Sequence, residues 1–358
     1  MADDFEVYVV GQSVSRHKEN YPTDIKWLDI DLNRKISLLA DFVSLFRLCY
    51  FLVNYKPDIV HSIMPKAGLL AALAGFICRV PIRIHTFTGQ IWATKNSVSR
   101  SVLYAADKLI SALNTICLTD SPSQSMFLLE HHISRRGKAL AVLGKGSLSG
   151  VELSRFNPRR LEKSAKALAD SLGIMPKNFV FAFIARKTRE KGAIDILHAF
   201  AKVALLHPHC LLLFVGPDES KGQIQKLRIE SPLLFSNVLT MDKVDDHELF
   251  LAISHVLCLP SYREGFGTIV IDAAALGVPA IGSNIVGLVD SIEDKKTGLL
   301  FPAGDIEGLT GAMLSLLENP FLVQSMGQAA RERVECYFSA DYLYTELKGL
   351  YTELSEGR

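Results

Sequence analysis

The stretch SYREGFGTIVIDAAALGVPAIGSN, residues 261–284, joins several structural signals in one run. The charged pair Arg263-Glu264 leads into Gly265-Phe266-Gly267. A helical segment carrying Asp272 follows, Gly277 and Pro279 end it, and a short apolar segment begins. With VLCLPS (256–261) ahead of it, the run reads strand, loop, helix, strand. Glu264 then lies in the loop at the carboxyl end of a strand. Gly265 and Gly267 remove side chains where the helix starts. The unpaired N–H groups of the first turn, together with the positive helix end, make a seat for an anion, and a phosphate can approach closely. Asp272, further along the same helix, suits a ribose diol, because a carboxylate accepts two hydroxyl hydrogen bonds.

The same alternation extends outward. Strands are read at 179–186, 210–216, 237–241, 256–261 and 279–284, with helices at 190–206, 219–230, 246–254 and 267–276, and 306–358 helical throughout. Towards the amino end, strands fall at 5–11, 24–30, 56–63, 81–89 and 138–147 and helices at 36–55 and 65–80; a strand and then a Ser/Pro-capped helix share 115–133. The polar zone 150–175 reads as a linker. The chain has 358 residues, suiting two domains of about 150 residues each. The expected class is α/β, with two Rossmann-like, doubly wound domains facing across a cleft. Their limits are 1–160 and 161–335, and a terminal helix at 336–358 packs back toward the first domain. Ligands of such sheets bind outside the carboxyl ends of the strands.

Composition narrows the function classes. Net charge is +1, which gives no ground for nucleic-acid binding. The six cysteines are scattered without a CxxC pair, consistent with free thiols in a reducing cytoplasm. His131-His132 and His207/His209 are the only close histidine sets and read as surface residues, so no metal site is expected. The apolar run at 67–82 is broken by Arg79 and Pro81 and reads as a buried helix. Helix 36–55 has a wide apolar face with Arg47 and Lys56 nearby. Core packing is the preferred account of it; contact with a membrane, aided by the basic run 134–138, is the other.

Two further constellations add chemistry. In IARKTREKG (184–192), Arg186 ends a strand and Lys191 opens the next helix, and two cations at a strand's carboxyl end suit a diphosphate. In IHTFTGQ (84–90), His85 is read at the end of a strand, followed by Thr86, Thr88 and Gly89, a setting for substrate contact.

Taken together, SYREGFGTIVIDAAALGVPAIGSNIVGLVDSIEDKKTGLLFPAGD and ARKTREKG resemble the retaining glycosyltransferases of family 4, which have the GT-B fold. The first matches their Glu-x7-Glu signature (Glu264 to Asp272 here), Gly-x-Pro and Thr-Gly-Leu-Leu; the second matches their diphosphate-binding Arg-x4-Lys. The segments 33–90 and 120–158 are similar to the branch that builds capsule, O-antigen and related glycans on polyprenyl diphosphate. The resemblance implies metal-independent transfer with retention, from a nucleotide sugar to a lipid-linked saccharide. UDP is the expected base and a UDP-N-acetylhexosamine the first donor to try. Arg186 and Lys191 would neutralise the departing diphosphate. Glu264 would contact the donor sugar or its phosphate. The backbone of Gly265, Phe266, Gly267 and Thr268 would hold the distal phosphate, and Asp272 the ribose. The base would lie near Gly216 and Met241 to Val244. His85 would contact the donor sugar from the other domain, and Lys66 and Thr86 are acceptor candidates. The chemistry needs no cofactor beyond the donor, and the setting is cytoplasmic, at the inner face of the membrane that carries the acceptor.

The chain departs from that pattern twice. Asp272 replaces the family's Glu and loses one methylene of reach, so its ribose contact would need a bridging water or another residue. Family members also open with a strand, a glycine loop and a helix ahead of the element that DDFEVYVVG resembles, so about 30 residues are expected before Met1. The rival expectation is that GQSVSR (11–16) serves as that first loop. Among other classes, a non-catalytic relative that binds nucleotide sugar without turnover stands as the alternative. Asp29 and Asp31 of LDIDL lie too near the amino end for a metal-dependent transferase, and no strand is followed by the GxGxxG of a dehydrogenase.

Overall fold

Every strand pair among the described residues is parallel, as apolar strand segments separated by helices require. The computed structural model describes residues 4–20, 23–32, 37–95, 98–134 and 137–357. They fall into two units. The first holds the residues up to Asp120, Gln124–Leu143 and those from Tyr344 onward; the second holds Ser121–Ser123 and Gly144–Leu343.

In the first unit, β1 (Tyr8–Gly11) and β2 (Lys26–Asp29) form a pair of their own. Then come α1 (Leu38–Tyr55), β3 (Ile59–Ser62), α2 (Pro65–Ile77), β4 (Ile82–Phe87), α3 (Val98–Leu113), β5 (Ile116–Thr119), α4 (Pro122–Glu130) and β6 (Ala141–Val142). The strands β3-β4-β5-β6 make one sheet in sequence order. Val10, Leu28 and Val60, from both sheets, pack into one core with Leu48 and Phe51 of α1 and Ala74 of α2. Helix α3 was not foreseen, and the strand expected over 138–147 shrinks to two residues.

Core packing explains only one face of α1. Ser44, Leu48, Phe51 and Leu52 are buried, whereas Leu38, Leu39, Phe42, Phe46 and Tyr50 are exposed. Of the basic run 134–138, Arg135 and Arg136 lie outside the described residues, as does Ile36 at the start of the predicted helix.

The second unit begins with a correction. The zone read as a linker contains α5 (Pro158–Ser171). Asn157 caps it, its side chain accepting from the Arg159 and Arg160 N–H groups, and Pro158 occupies the first turn. Leu161 and Ala165, four residues apart, are the face it buries. The rest is β7 (Phe179–Ile184), α6 (Ala193–Leu206), β8 (Cys210–Val215), α7 (Gln223–Glu230), β9 (Val238–Met241), α8 (His247–Ala252), β10 (Val256–Leu259), α9 (Thr268–Ala275), β11 (Ala280–Ser283), α10 (Leu288–Ser291), β12 (Gly298–Phe301), α11 (Ile306–Leu317), α12 (Pro320–Tyr337) and α13 (Ala340–Glu356). The later half of α13 belongs to the first unit, where Leu350, Tyr351 and Leu354 pack on Ile82, Ile84 and Leu118.

The sheet order of the second unit is β12-β11-β10-β7-β8-β9. The chain lays β8 and β9 on one side of β7, then returns to lay β10 to β12 on the other. The order therefore reverses between β7 and β10, and it is at the carboxyl ends of the strands at such a reversal that sheets of this kind bind ligands. Strands β7, β8 and β10 have apolar side chains buried on both sheet faces, in two separate core clusters.

Candidate active site

The loops leaving β7 and β10 meet at that reversal. Lys191, in the first, donates to Glu264 Oε1, in the second, at 2.5 Å. Ser261 Oγ donates to the same oxygen at 2.8 Å. One residue earlier on each loop, Arg263 pairs with Glu190 at 2.6 Å, and the Tyr262 N–H donates to the Glu190 carbonyl at 2.8 Å. Tyr262 also donates from its hydroxyl to Asp195 at 2.7 Å; burial and that carboxylate push its ionisation up to about 12. Two ion pairs and two tyrosine hydrogen bonds thus lace the loops together.

Glycine makes this approach feasible. Gly192 has φ +71°, and a Cβ there would overlap the Pro260 carbonyl oxygen at the end of β10. Gly267 has φ +80° at the N-cap of α9, and a Cβ there would come 2.6 Å from Leu288 Cδ2. In the first turn of α9 the Val270 N–H donates to the Gly267 carbonyl at 2.8 Å, which leaves the Thr268 and Ile269 N–H groups without an acceptor within the helix, and exposed Thr268 is its first residue.

The other predicted residues are placed as follows. Arg186 lies just beyond β7, half-buried, and pairs with Glu219 at 3.0 Å. Gly265 is half-buried in the same loop as Glu264, and its carbonyl accepts from Ser121 Oγ. The Phe266 side chain is 3% exposed and packs against Phe338 in the core, so it is not a wall of the site, and only its backbone is left to face a ligand. Gly216 follows β8, and its N–H donates to the Met241 carbonyl at 3.2 Å. Val244 is half-buried against the core. Asp272 is buried 3.3 Å from His247 Nε2; burial raises its pKa, partly offset by that histidine. Lys66 is paired with Asp41 at 2.5 Å.

His85 does not end its strand: β4 runs on to Phe87. Its ring is 1% exposed, with Nδ1 2.9 Å from Ser62 Oγ and Phe87 edge-on at 4.6 Å. Burial, and then the neighbouring His61, pull its pKa down to about 3, so the ring is neutral and meets any partner as a hydrogen-bonding group. Thr86 is also buried, with Oγ1 2.7 Å from His61 Nε2; His61 Nδ1 lies 2.7 Å from the Tyr351 hydroxyl.

Several residues escaped the sequence reading. Lys187, inside the quoted basic loop, is 3% exposed. Its ammonium donates to the Met241 carbonyl at 2.6 Å and sits 5.2 Å from the Phe214 ring centre; burial lowers its pKa. It props the end of β9 where the base was expected. Its neighbours in sequence are all charged or polar, so nothing marked it as an inward-facing lysine. His247, Ser261 and the Glu190–Arg263 pair were missed for another reason: their partners lie 25 or 73 residues away or inside a turn.

Parallel strands with a reversal in their order, and a cation–carboxylate pair beside a helix start, suit a nucleotide-binding α/β protein; likeness to known proteins sets it among the GT-B glycosyltransferases, and the chain belongs to the glycosyl transferases group 1 family. The family pattern matches residues 165–333, within the second unit. Over 363 aligned positions the chain is 30% identical to the capsular polysaccharide biosynthesis glycosyltransferase CapM of Staphylococcus aureus, covering 99% of this chain and 92% of that one. It is 26% identical to the UDP-Gal:alpha-D-GlcNAc-diphosphoundecaprenol alpha-1,3-galactosyltransferase of Escherichia coli, over 90% of this chain and 82% of that one. Among solved structures it resembles the sucrose-phosphate synthase of Thermosynechococcus elongatus in fold, with a TM-score of 0.80 at 21% identity, covering 100% and 91% of the two chains.

Proposed function

We propose that this glycosyltransferase moves a sugar from a UDP-sugar to a polyprenyl-diphosphate-linked saccharide during surface polysaccharide assembly, with retention and without a metal ion. A UDP-N-acetylhexosamine is the first donor to try, and the enzyme works from the cytoplasmic face of the membrane that carries the acceptor. The observation that carries this reading is the Lys191–Glu264 pair at the strand-order reversal, beside the start of α9. The relatives' own names supply the context of capsule, UDP-linked donor and undecaprenyl-diphosphate acceptor.

In this reading the donor diphosphate lies between the amino end of α9 and the two cations. Lys191 and Arg186 meet the charge that builds on the leaving phosphate, doing with fixed ammonium and guanidinium groups what a divalent ion does elsewhere. Glu264, released from part of its contact with Lys191, accepts hydrogen bonds from the sugar hydroxyls. The acceptor hydroxyl attacks from the face the diphosphate leaves, and the departing phosphate oxygen takes its proton. Catalysis is then charge stabilisation and positioning. The Met241 carbonyl, held by the Lys187 ammonium and the Gly216 N–H, fixes the backbone at the carboxyl ends of β8 and β9, where the uracil would lie.

The test is a screen of UDP-, GDP- and dTDP-sugars with EDTA present, following thermal shift and release of nucleoside diphosphate, with and without a short-chain polyprenyl-diphosphate saccharide. Acceptor-dependent release of UDP with α-configured product supports the reading. Turnover that stops with chelator, or a nucleotide shift without release when acceptor is supplied, refutes it.

A further inference from the structure

Asp272 and His247 form a polar pair that the packing of the second unit does not need. Helices α8 and α9 are already joined by apolar side chains, Phe250 and Leu251 of one and Val270, Ile271 and Ala273 of the other, in a single core cluster. His247 Nε2 nevertheless lies 3.3 Å from Asp272 Oδ2. The pair also leaves hydrogen-bonding capacity unused. Among the described residues Asp272 Oδ1 has no partner, and His247 Nδ1 comes no nearer to an acceptor than 4.0 Å, at Glu248 Oε2. Glu248 is itself committed to Arg155 at 2.7 Å. Asp272 is only 9% exposed, and a carboxylate so shielded ordinarily has both oxygens satisfied. A carboxylate oxygen and a ring nitrogen are therefore both open to a ligand.

Their place in the fold selects the part of the ligand they would meet. His247 opens α8, directly after the loop that leaves β9. Asp272 lies one turn into α9, and side chains on a helix lean toward its amino end. The pair thus links the carboxyl end of β9, proposed for the base, to the start of α9, proposed for the diphosphate. A nucleoside diphosphate runs base, ribose, phosphates. Its middle part carries two vicinal hydroxyls, each able to donate and to accept. A glutamate, one methylene longer, could offer both carboxylate oxygens to them. An aspartate whose Oδ2 is engaged has one to offer, and the imidazole beside it supplies the second contact. The ring is also the more accessible of the two, at 27% side-chain exposure against 13%.

We propose that His247 is a specificity-determining residue of the donor site, reading the ribose together with Asp272: the carboxylate accepts from one hydroxyl and the imidazole hydrogen-bonds to the other. The inference rests on the reading of a UDP-linked donor and names what recognises its ribose. It is tested by calorimetric titration of the full chain with UDP, 2′-deoxy-UDP and 3′-deoxy-UDP. Wild type is compared with His247→Ala, His247→Gln and His247→Ala/Asp272→Glu, and the Tm of each is recorded. Wild type is expected to bind UDP about tenfold or more tighter than either analogue. His247→Ala should lose the preference against one analogue to within about twofold and keep it against the other, which Asp272 still reads. His247→Gln, which keeps a hydrogen-bonding group, should fall between. The double variant should regain the lost preference, because the longer acid reaches both hydroxyls. A mere tie between α8 and α9 would behave otherwise: His247→Ala would lower Tm and weaken all three nucleotides by one factor, leaving their ratios unchanged, and that result overturns the proposal. So does wild type that binds UDP and both analogues alike, which leaves the donor reading standing. A chain that binds no UDP removes that reading and this inference with it, so the two failures are distinct.

Discussion

Replacing Lys191 with Met separates a catalytic cation from a structural one. The substitution keeps the length of the side chain and removes its charge, leaving Glu264 with Ser261 as its remaining partner. Both members of the pair are largely shielded, at 17% and 11% side-chain exposure, so an abandoned carboxylate costs stability. With some water still reaching it, about 2 kcal/mol is the expected loss, below the full penalty for a buried pair. In a unit of this size that lowers Tm by about 4–8 °C. Lys191→Met/Glu264→Gln recovers most of it, because the uncompensated charge is gone. Activity behaves differently. A cation that meets charge developing on a leaving group is worth about 10²–10³ in kcat, with a much smaller change in UDP affinity, since the ground state carries less of that charge. The double variant therefore regains stability without regaining turnover. The assay is single-turnover release of UDP alongside calorimetric Tm for the wild type, each single variant and the double. If Lys191→Met retains kcat within about threefold of wild type, the lysine is only a loop tie and the assignment of the leaving-group site fails.

Three further outcomes follow from the geometry. Gly192→Ala forces an L side chain into φ +71° and onto the Pro260 carbonyl, so urea unfolding should show a loss of more than about 2 kcal/mol; a loss under half that would mean the two loops are not held as described. Asn157→Ala removes the cap of α5 and should cost about 1 kcal/mol, whereas a true linker would show no change in chemical denaturation. His85 and His61 have folded pKa values pulled down to about 3 and about 4 by burial. The unfolded chain then binds more protons below its ordinary histidine value, so stability is full near neutrality and is lost as pH falls from about 6.5 toward 4. Urea midpoints at pH 7, 6 and 5 should drop, and a His61→Gln/His85→Gln variant should flatten that slope; an equal slope in the variant would mean that the histidines are not the buried groups responsible.

Periodic apolar runs carried most of the architecture. The strands at 179–184, 210–215 and 256–259 are continuous apolar segments because both their faces are buried, and such segments stand out from polar loops. Elements with one thin apolar face were harder. In α5 only Leu161 and Ala165 are buried among many charges, so polarity concealed a helix that its Asn-Pro cap announced. Helix α1 misled in the opposite direction: its composition suits a core, yet periodicity cannot say how much of a wide apolar stripe another element covers. At the site, Glu264, Lys191 and the α9 start were visible because glycine spacing and strand ends depend on local sequence. Lys187 was missed because it points opposite to its chemical type, a lysine in a basic loop turning inward, whereas Phe266 follows its type and turns its ring into the core, leaving its backbone for the expected phosphate contact.

The pairing of Lys191 with Glu264 constrains how the site can work. An anion arriving at Lys191 meets a charge already cancelled at 2.5 Å, and Arg186 is likewise engaged with Glu219, though in a more exposed pair. The attraction that remains uncommitted comes from the amino end of α9, where the Thr268 and Ile269 N–H groups have no acceptor within the helix. The helix end should therefore capture the diphosphate first, and the lysine should share itself between Glu264 and phosphate only once the donor is seated. In the proposed reaction that order would keep the loops laced in the empty enzyme, where a half-buried ammonium and carboxylate left unpaired would each carry an uncompensated desolvation cost, and would reserve the strongest cation contact for the step in which the leaving phosphate gains charge. It also explains why Glu264 is held by Ser261 as well as by Lys191: with the hydroxyl still donating at 2.8 Å, the carboxylate keeps its place when the lysine turns toward the phosphate.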